Sequence, residues 1–236
     1  DKNVYLSFYH NRRWDSDFKT VQKILNQCVL GDIVEAEFHY DRFETNLSYK
    51  IHKETPTEAV GSLYDLGSHL IDQTLQLFGM PFSVFAQMDA FRKDSKVTDY
   101  FDVKLYYKTH LVTLKSSYFV REPLPAYVLH GKKGSFVKSK SDIQETELQK
   151  GIRPNTEDWG FEPKSEQGVL HIMKDGTSHK EFIVSEKGDY MAYYNGLYEA
   201  IRHHKSLPVL AEDGMKVIQI IEAAVKSNKE KRVIEL

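Results

Sequence analysis

Cysteine is nearly missing from this chain of 236 residues, because Cys28 is the only one. A single cysteine excludes an internal disulfide bond and a cysteine-rich zinc site. The residues before Cys28 repeat at helical spacing, so the sequence predicts a small buried residue on the apolar face of a helix. The scarcity of cysteine fits a reducing compartment, and we predict a cytoplasmic location.

Long apolar runs and an excess of charge are also missing. No apolar run approaches the roughly 20 residues that a membrane-spanning helix needs. The chain carries 32 basic and 34 acidic residues. Its net charge therefore gives no reason to expect binding to nucleic acid or to an anionic membrane surface, and we expect neither among its partners.

Several motifs that carry chemistry are absent as well. The chain contains no GxGxxG turn and no phosphate-binding loop. No arrangement of serine, histidine and acid suggests a hydrolase. His203 and His204 are adjacent, but no second pair of ligands stands at metal-binding spacing, so we predict no metal site.

The most informative stretch is residues 61–79, GSLYDLGSHLIDQTLQLFG. Its spacing predicts a helix of about three turns that ends at Gly79 and packs an apolar face on a sheet. At about 100° per residue, five polar side chains fall in one stripe. These are Asp65, His69, Asp72, Gln73 and Gln76. Gly67 lies within the helix, where a glycine often marks a close approach to the backbone.

The polar stripe has two interpretations. It can be the solvated face of an ordinary amphipathic helix, since aspartate and histidine are common on exposed faces. Alternatively, Asp65 and His69 lie one turn apart and act together on a substrate hydroxyl. Imidazole titrates near neutral pH and can accept and return a proton, and a neighbouring carboxylate can orient it.

The rest of the chain predicts an α+β fold. Asn3–His10 is a nearly continuous apolar run, which is typical of a strand buried on both sides and suggests the last strand of a preceding domain. A helix that begins at Ser16 or Asp17 and ends at Gly31 follows, and Glu44–Val60 is predicted to be a long loop. Eight further segments are predicted to be strands or helices: strands at 33–43, 83–92, 100–108, 110–120, 126–130 and 135–138, then helices at 190–203 and 212–227. A last hairpin around Asp175-Gly176 precedes the two helices.

Five side chains are candidates for contact with a substrate. The paired Arg12 and Arg13 lie at a predicted strand-to-helix turn, where they bind an anionic or polyhydroxyl ligand or simply form surface ion pairs. Tyr40 and Arg42 lie at a predicted strand end. Trp159 either covers a pocket or pins its loop to the core.

The chain resembles the Gfo/Idh/MocA oxidoreductases, the relatives of glucose–fructose oxidoreductase and inositol dehydrogenase. The resemblance rests on Gly61–His69 with Asp72 and Leu77–Gly79, on Phe8–Asp15 and on Pro208–Ala224. Within the family, the chain is most similar to the branch of NADP-dependent scyllo-inositol dehydrogenases and similar sugar dehydrogenases.

The resemblance implies an open, mostly antiparallel sheet with helices packed on one face, and a homo-oligomer formed through the open sheet face. It assigns residues 1–15 to the exit of a nucleotide-binding domain that this sequence lacks, and residues 16–236 to a substrate-binding and oligomerisation domain. NAD or NADP would be held mainly by the absent domain, which also carries a catalytic lysine.

By the same resemblance, His69 is the base that accepts the proton of a sugar or polyol hydroxyl, and Asp65 orients it or relays its proton. Asn11 and Trp14 would contact the cofactor. Two other functions remain open: a non-catalytic sugar-sensing protein and a self-associating module on the same fold.

Overall fold

In a computed structural model, residues 4–154 and 157–236 are described. Nine strands form one sheet: β1 Ile33–His39, β2 Ser83–Asp89, β3 Tyr100–Tyr106, β4 Leu111–Ser117, β5 Tyr127–Gly131, β6 Gly134–Lys138, β7 Gly168–Lys174, β8 Thr177–Ile183 and β9 Ile234–Glu235. Their order across the sheet is β8-β7-β6-β5-β1-β4-β3-β2-β9. The β1–β4 pair is parallel and every other pair is antiparallel, which confirms the predicted open, mostly antiparallel sheet.

In the described parts of the chain, six α-helices accompany the sheet: α1 Ser16–Asn26, α2 Ile51–Glu54, α3 Ser68–Phe78, α4 Gln144–Gln149, α5 Met191–His203 and α6 Ala211–Glu230. A 3₁₀ turn, Asn11–Trp14, precedes α1, and another spans Lys164–Glu166. A π-helical turn, Leu63–Gly67, leads directly into α3. Among the described residues, the helices include none with the length and apolarity required to cross a membrane.

The two faces of the sheet differ as the alternating strand patterns predict. One cross-strand row, which runs through paired positions from β7 to β2, is fully buried under the helices: Leu170, Phe136, Leu129, Ala36, Val112, Leu105 and Val84. The neighbouring row points to the opposite face and is half-exposed, as Glu37 and Lys104 illustrate. Each buried Val, Leu or Phe stabilises the fold by about 1.5–3 kcal/mol, so the core lies between this face and the helices.

Gly67 is required where α3 crosses the sheet. A β-carbon at this position would lie 2.6 Å from Leu63 Cδ1 and 3.2 Å from Phe101 Cζ on β3. The predicted close approach to the backbone is therefore confirmed, and the approaching group is a core side chain. The π-helical turn that ends at Gly67 is a local irregularity of a kind found frequently at functional sites.

Two sequence predictions are wrong in detail, and a third is not tested. Residues 4–10 pair with no other described strand, and Val4 and Leu6 are 77% and 58% exposed; their assignment to the last strand of a preceding domain stays a prediction, and Asn3 lies outside the described residues. Helix α1 ends at Asn26, so Cys28 lies in the following turn with a φ of 54° and is exposed rather than buried. The loop 44–60 contains the short helix α2.

Candidate functional site

His69 lies in the first turn of α3 and packs its ring edge-on against His10, with 5.9 Å between the ring centroids. Its Nδ1 atom is buried and has no hydrogen-bond partner among the described residues. Burial lowers the pKa of His69 to about 3, and the positive groups nearby act in the same direction. The imidazole is therefore neutral at physiological pH, which is the state that accepts a proton.

Three groups contribute to this effect on His69: Arg12, His10 and Lys140. His10 and Lys140 were not predicted from the sequence. His10 is buried, and its own Nδ1 atom also lacks a partner among the described residues. The only sequence signal for His10 was its position as a polar residue at the end of an apolar run. Lys140 comes from a polar loop in which nothing in the sequence distinguishes one lysine from another.

Asp65 lies in the π-helical turn, and its Oδ2 atom accepts a hydrogen bond from Lys53 Nζ at 2.8 Å. Both side chains are about 40% exposed. No hydrogen bond joins Asp65 to His69 in the described structure. The π-helical turn holds more residues per turn than an α-helix, so the projection at 100° per residue does not apply across it. The orienting role of Asp65 stays a prediction.

Two residues of the remaining stripe are buried rather than solvated, which corrects the first interpretation at these positions, whereas Gln76 is exposed. Asp72 and Gln73 are each only 2% exposed. Asp72 accepts two hydrogen bonds from Arg13, at 2.6 and 2.8 Å. Gln73 Nε2 donates to the carbonyl of Arg12 at 3.0 Å, and its Oε1 accepts from Tyr127. These two side chains fix the turn Asn11–Trp14 against α3.

Arg13 is occupied within the protein. Its guanidinium forms the paired bond with Asp72 and a further bond with Asp213 on α6 at 3.0 Å. The paired arginines thus serve different purposes, since Arg13 ties the turn to two helices. Its predicted contact with a substrate stays untested, and its Nε and one of its two terminal nitrogens already have partners.

Arg12 faces a buried polar cluster. It donates to the Tyr190 hydroxyl at 2.6 Å and to Glu145, while its Nε atom is buried without a partner among the described residues. The Tyr190 hydroxyl in turn donates to Asp15 at 2.7 Å. Asp15 is fully buried, and burial raises its pKa to about 7.

Tyr40 is the point at which the predicted substrate residues meet. Three cations surround its ring, at distances from the ring centroid of 4.7 Å for Lys140, 5.6 Å for Arg42 and 6.0 Å for Arg12. Cations at such distances are attracted to the electron-rich ring face. Lys140 also forms an ion pair with Asp15 at 3.2 Å. The structure therefore brings together Arg12, Tyr40 and Arg42.

A cavity of about 530 Å³ lies beside this cluster, between the segment 44–60 and the turn that leads into α3. Asp65, Lys53 and Arg42 are on its wall. Its volume is within the range of about 300–1,000 Å³ that is typical of small-molecule sites.

The predicted cofactor residues lie in the turn before α1. Asn11 and Trp14 are half-buried, and the Asn11 side chain forms no hydrogen bond with the described residues. The Trp14 ring packs edge-on against Tyr193 at 5.7 Å. The two residues are the first and last of this four-residue turn, and the chain contains no glycine-rich turn for the phosphates of a dinucleotide. Their cofactor role stays a prediction.

Trp159 anchors its loop to the core, which was one of the two interpretations of this residue. It is 4% exposed, and its Nε1 donates to Gln144 at 3.1 Å. Contact with a substrate would require the indole to be uncovered. Among the residues that the structure describes, no group of three or more potential ligands could hold a metal ion.

Together, the fold and these residues define an oxidoreductase domain. Residues 22–236 match the C-terminal alpha/beta domain of the Gfo/Idh/MocA oxidoreductase family, and the chain belongs to this family.

Its relatives are longer proteins. The scyllo-inositol 2-dehydrogenase (NADP(+)) IolW of Bacillus subtilis is 42% identical over the whole chain, which covers 66% of that protein. The uncharacterised oxidoreductase YdgJ of Escherichia coli is 34% identical over 97% of the chain and 65% of its own length. The solved structure of Bacillus subtilis yvaA has a TM-score of 0.92 at 42% identity, over 98% of this chain and 65% of that one. The chain thus spans slightly less than two thirds of these relatives.

Proposed function

We propose that this chain is the substrate-binding half of an NAD(P)-dependent oxidoreductase that oxidises a secondary hydroxyl of a sugar or cyclic polyol. The family membership and the 42% identity to an inositol dehydrogenase support the reaction class. The nicotinamide would accept the hydride when bound, and a part of the protein outside this chain would hold most of that cofactor.

The observation that carries the proposal is the His69 imidazole, whose Nδ1 atom has no hydrogen-bond partner among the described residues. As hydride leaves the substrate carbon, the hydroxyl oxygen must lose its proton to a base. His69 accepts that proton, and the adjacent Arg12 and Lys140 favour the developing negative charge on the oxygen. Asp65, at the rim of the cavity, relays the proton towards solvent, since its carboxylate is partly exposed.

The remaining polar groups position the substrate. Arg42 and Tyr40 present a guanidinium and a hydroxyl that can bind hydroxyl groups of a polyol. Arg12 is held against Tyr190 and Asp15, so its guanidinium is fixed before a ligand arrives.

The test uses the full-length gene product with NAD or NADP and a panel of inositols and aldoses, followed through nicotinamide absorbance. Turnover with one member is expected, and His69→Ala is expected to reduce kcat by about 10²–10⁴-fold. His130→Ala is the matched control, because His130 is an exposed histidine on β5. Normal turnover by the His69 variant would refute the assignment, and polyol binding without turnover would favour the sugar-sensing alternative.

We further propose that the chain forms a homo-oligomer through the open face of the sheet. One cross-strand row of this face is apolar, formed by Phe182, Val169, Val137 and Val128, and Phe182 is 65% exposed. Such a patch is typical of a protein interface. Sedimentation at micromolar concentration is expected to show a dimer that Val137→Lys dissociates, and a monomer in both cases would refute this proposal.

A further inference from the structure

The cavity beside Asp65 has a fixed outer wall. Glu54 on α2 binds Arg92 through two parallel hydrogen bonds, at 3.0 and 3.1 Å, and Arg92 also binds Asp99 at 3.0 Å. Arg92 and Glu54 side chains are only 4% and 13% exposed. At the other end, Lys53 reaches Asp65. Two adjacent residues of α2, Lys53 and Glu54, thus tie the segment 44–60 to Asp65 and to Arg92 on the cavity wall.

Charge in this cavity is balanced. Its wall carries four cationic side chains, Arg42, Lys50, Lys53 and Arg92, and three carboxylates, Glu44, Glu54 and Asp65. Asp99, behind Arg92, supplies the fourth negative charge. A site for phosphate or carboxylate needs an excess of positive charge, so the balance favours an uncharged ligand.

The wall also alternates hydrogen-bond donors with acceptors, and it exposes aromatic surface. A hydroxyl group both donates and accepts, so neighbouring ammonium and carboxylate groups suit it. Tyr49, Tyr64 and Tyr118 contribute rings to the same wall. Tyr118 is held by Arg42 and Arg92, whose guanidinium carbons lie 5.9 and 4.9 Å from its ring centroid. Aromatic rings with polar groups around them suit a ligand that has apolar ring faces and hydroxyl edges.

The volume of the cavity exceeds the volume of one sugar ring. The dozen non-hydrogen atoms of a cyclic hexitol, each smaller than the roughly 30 Å³ of a liquid water molecule, occupy about 200 Å³. The cavity measures about 530 Å³. Asp65 lines the cavity and also acts electrostatically on His69, whereas His69 itself does not line the cavity. A single ring that reacts at His69 would therefore leave most of the cavity to solvent.

We propose that the cavity is a subsite for a second sugar ring, and that the substrate is a glycosylated cyclic polyol. The reacting polyol ring lies at His69, and the attached sugar extends past Asp65 into the cavity between Tyr49 and Tyr118. This inference rests on the proposed function and specifies its substrate class.

The test uses isothermal titration calorimetry on the full-length gene product and compares two ligands. They are myo-inositol and galactinol, in which a galactose is attached to the inositol. Galactinol is expected to bind at least about tenfold more tightly, because the second ring buries further surface in a preformed cavity. Val60→Trp is expected to abolish this gain, since Val60 lines the cavity. Ile51→Trp, on the same segment but outside the lining and 80% exposed, is the matched control.

The outcomes are distinguishable. Equal affinity for the two ligands overturns the subsite and leaves the proposed function standing. Failure of both ligands to bind overturns the subsite and counts against a polyol substrate. A tenfold gain that persists in Val60→Trp shows that the second ring binds elsewhere. Should Val60→Trp not fold, Tyr49→Ala replaces it, because Tyr49 is 89% exposed and its loss spares the core.

Discussion

Lowering the pH tests the state of His69. The pKa of this imidazole is about 3 in the folded protein, below its ordinary value of 6.5. The unfolded chain therefore binds more protons below pH 6.5, and the contribution of His69 to stability is lost as the pH falls from 6.5 towards 3. Between about pH 8 and pH 5 the loss in the free energy of unfolding is about 2 kcal/mol, since each pKa unit corresponds to about 1.4 kcal/mol and about 1.5 units of the gap are traversed.

The assay is urea unfolding followed by circular dichroism at both pH values, for the natural chain and for His69→Gln. Glutamine keeps a polar, uncharged side chain of similar reach, so the other titrating groups, including His39 and Asp15, cancel in the difference between the two proteins. We expect the natural chain to lose about 2 kcal/mol more than the variant. Equal losses would refute the reasoning, because they would mean that His69 titrates near its ordinary pKa in the folded state.

Three further variants test the packing around the site. Asp72→Ala leaves the buried Arg13 with Asp213 as its remaining partner, and is expected to lower the free energy of unfolding by about 3 kcal/mol in urea denaturation. Gly67→Ala places a methyl group 2.6 Å from the nearest side-chain carbon, so a net loss of about 1 kcal/mol is expected despite the better helix propensity of alanine. Lys140→Met removes a positive charge near His69, and NMR titration is expected to show a higher pKa of His69.

An exposed ion pair provides the control for the first of these variants. Asp32 and Lys132 form a bond of 2.9 Å with both side chains more than two thirds exposed. Asp32→Ala is expected to lower the free energy of unfolding far less than Asp72→Ala, because an exposed ion pair is screened by solvent. Similar losses for the two aspartate variants would contradict the buried role of Asp72. A stabilised Gly67→Ala protein, or an unchanged pKa of His69 in Lys140→Met, would contradict the other two predictions.

Local periodicity was sufficient to predict most of the fold. Strands β1 to β8 overlap the segments that alternation and turn residues predicted, and the glycines at 61 and 79 bracketed the central helix, because strand and helix periods depend on neighbouring residues. Residues 4–10 lie outside this sheet, and their assignment to a preceding domain stays a prediction. The same reasoning failed at Cys28, because helix α1 ends at Asn26 and the backbone takes a positive φ at Cys28, which the spacing of apolar residues does not reveal.

The candidate site was predictable only in part, because its members come from distant segments. Asp65 and His69 could be found from one helix, and Arg12 from one turn. Lys140 reaches the same place only because the segment after β6 folds back over Tyr40. Tertiary proximity of this kind leaves no local pattern in a sequence.

The polar stripe of the central helix explains why the site forms where it does. Its two buried residues beyond His69, Asp72 and Gln73, bind the turn Asn11–Trp14 and so set the position of Arg12. Its middle residue, His69, faces the groups that this turn delivers. Its near end, Asp65, is rotated by the π-helical turn towards Lys53 and the cavity. One helix therefore anchors the turn, presents the proton acceptor and borders the substrate cavity, so a change at the buried Asp72 should disturb chemistry at His69 without touching a substrate.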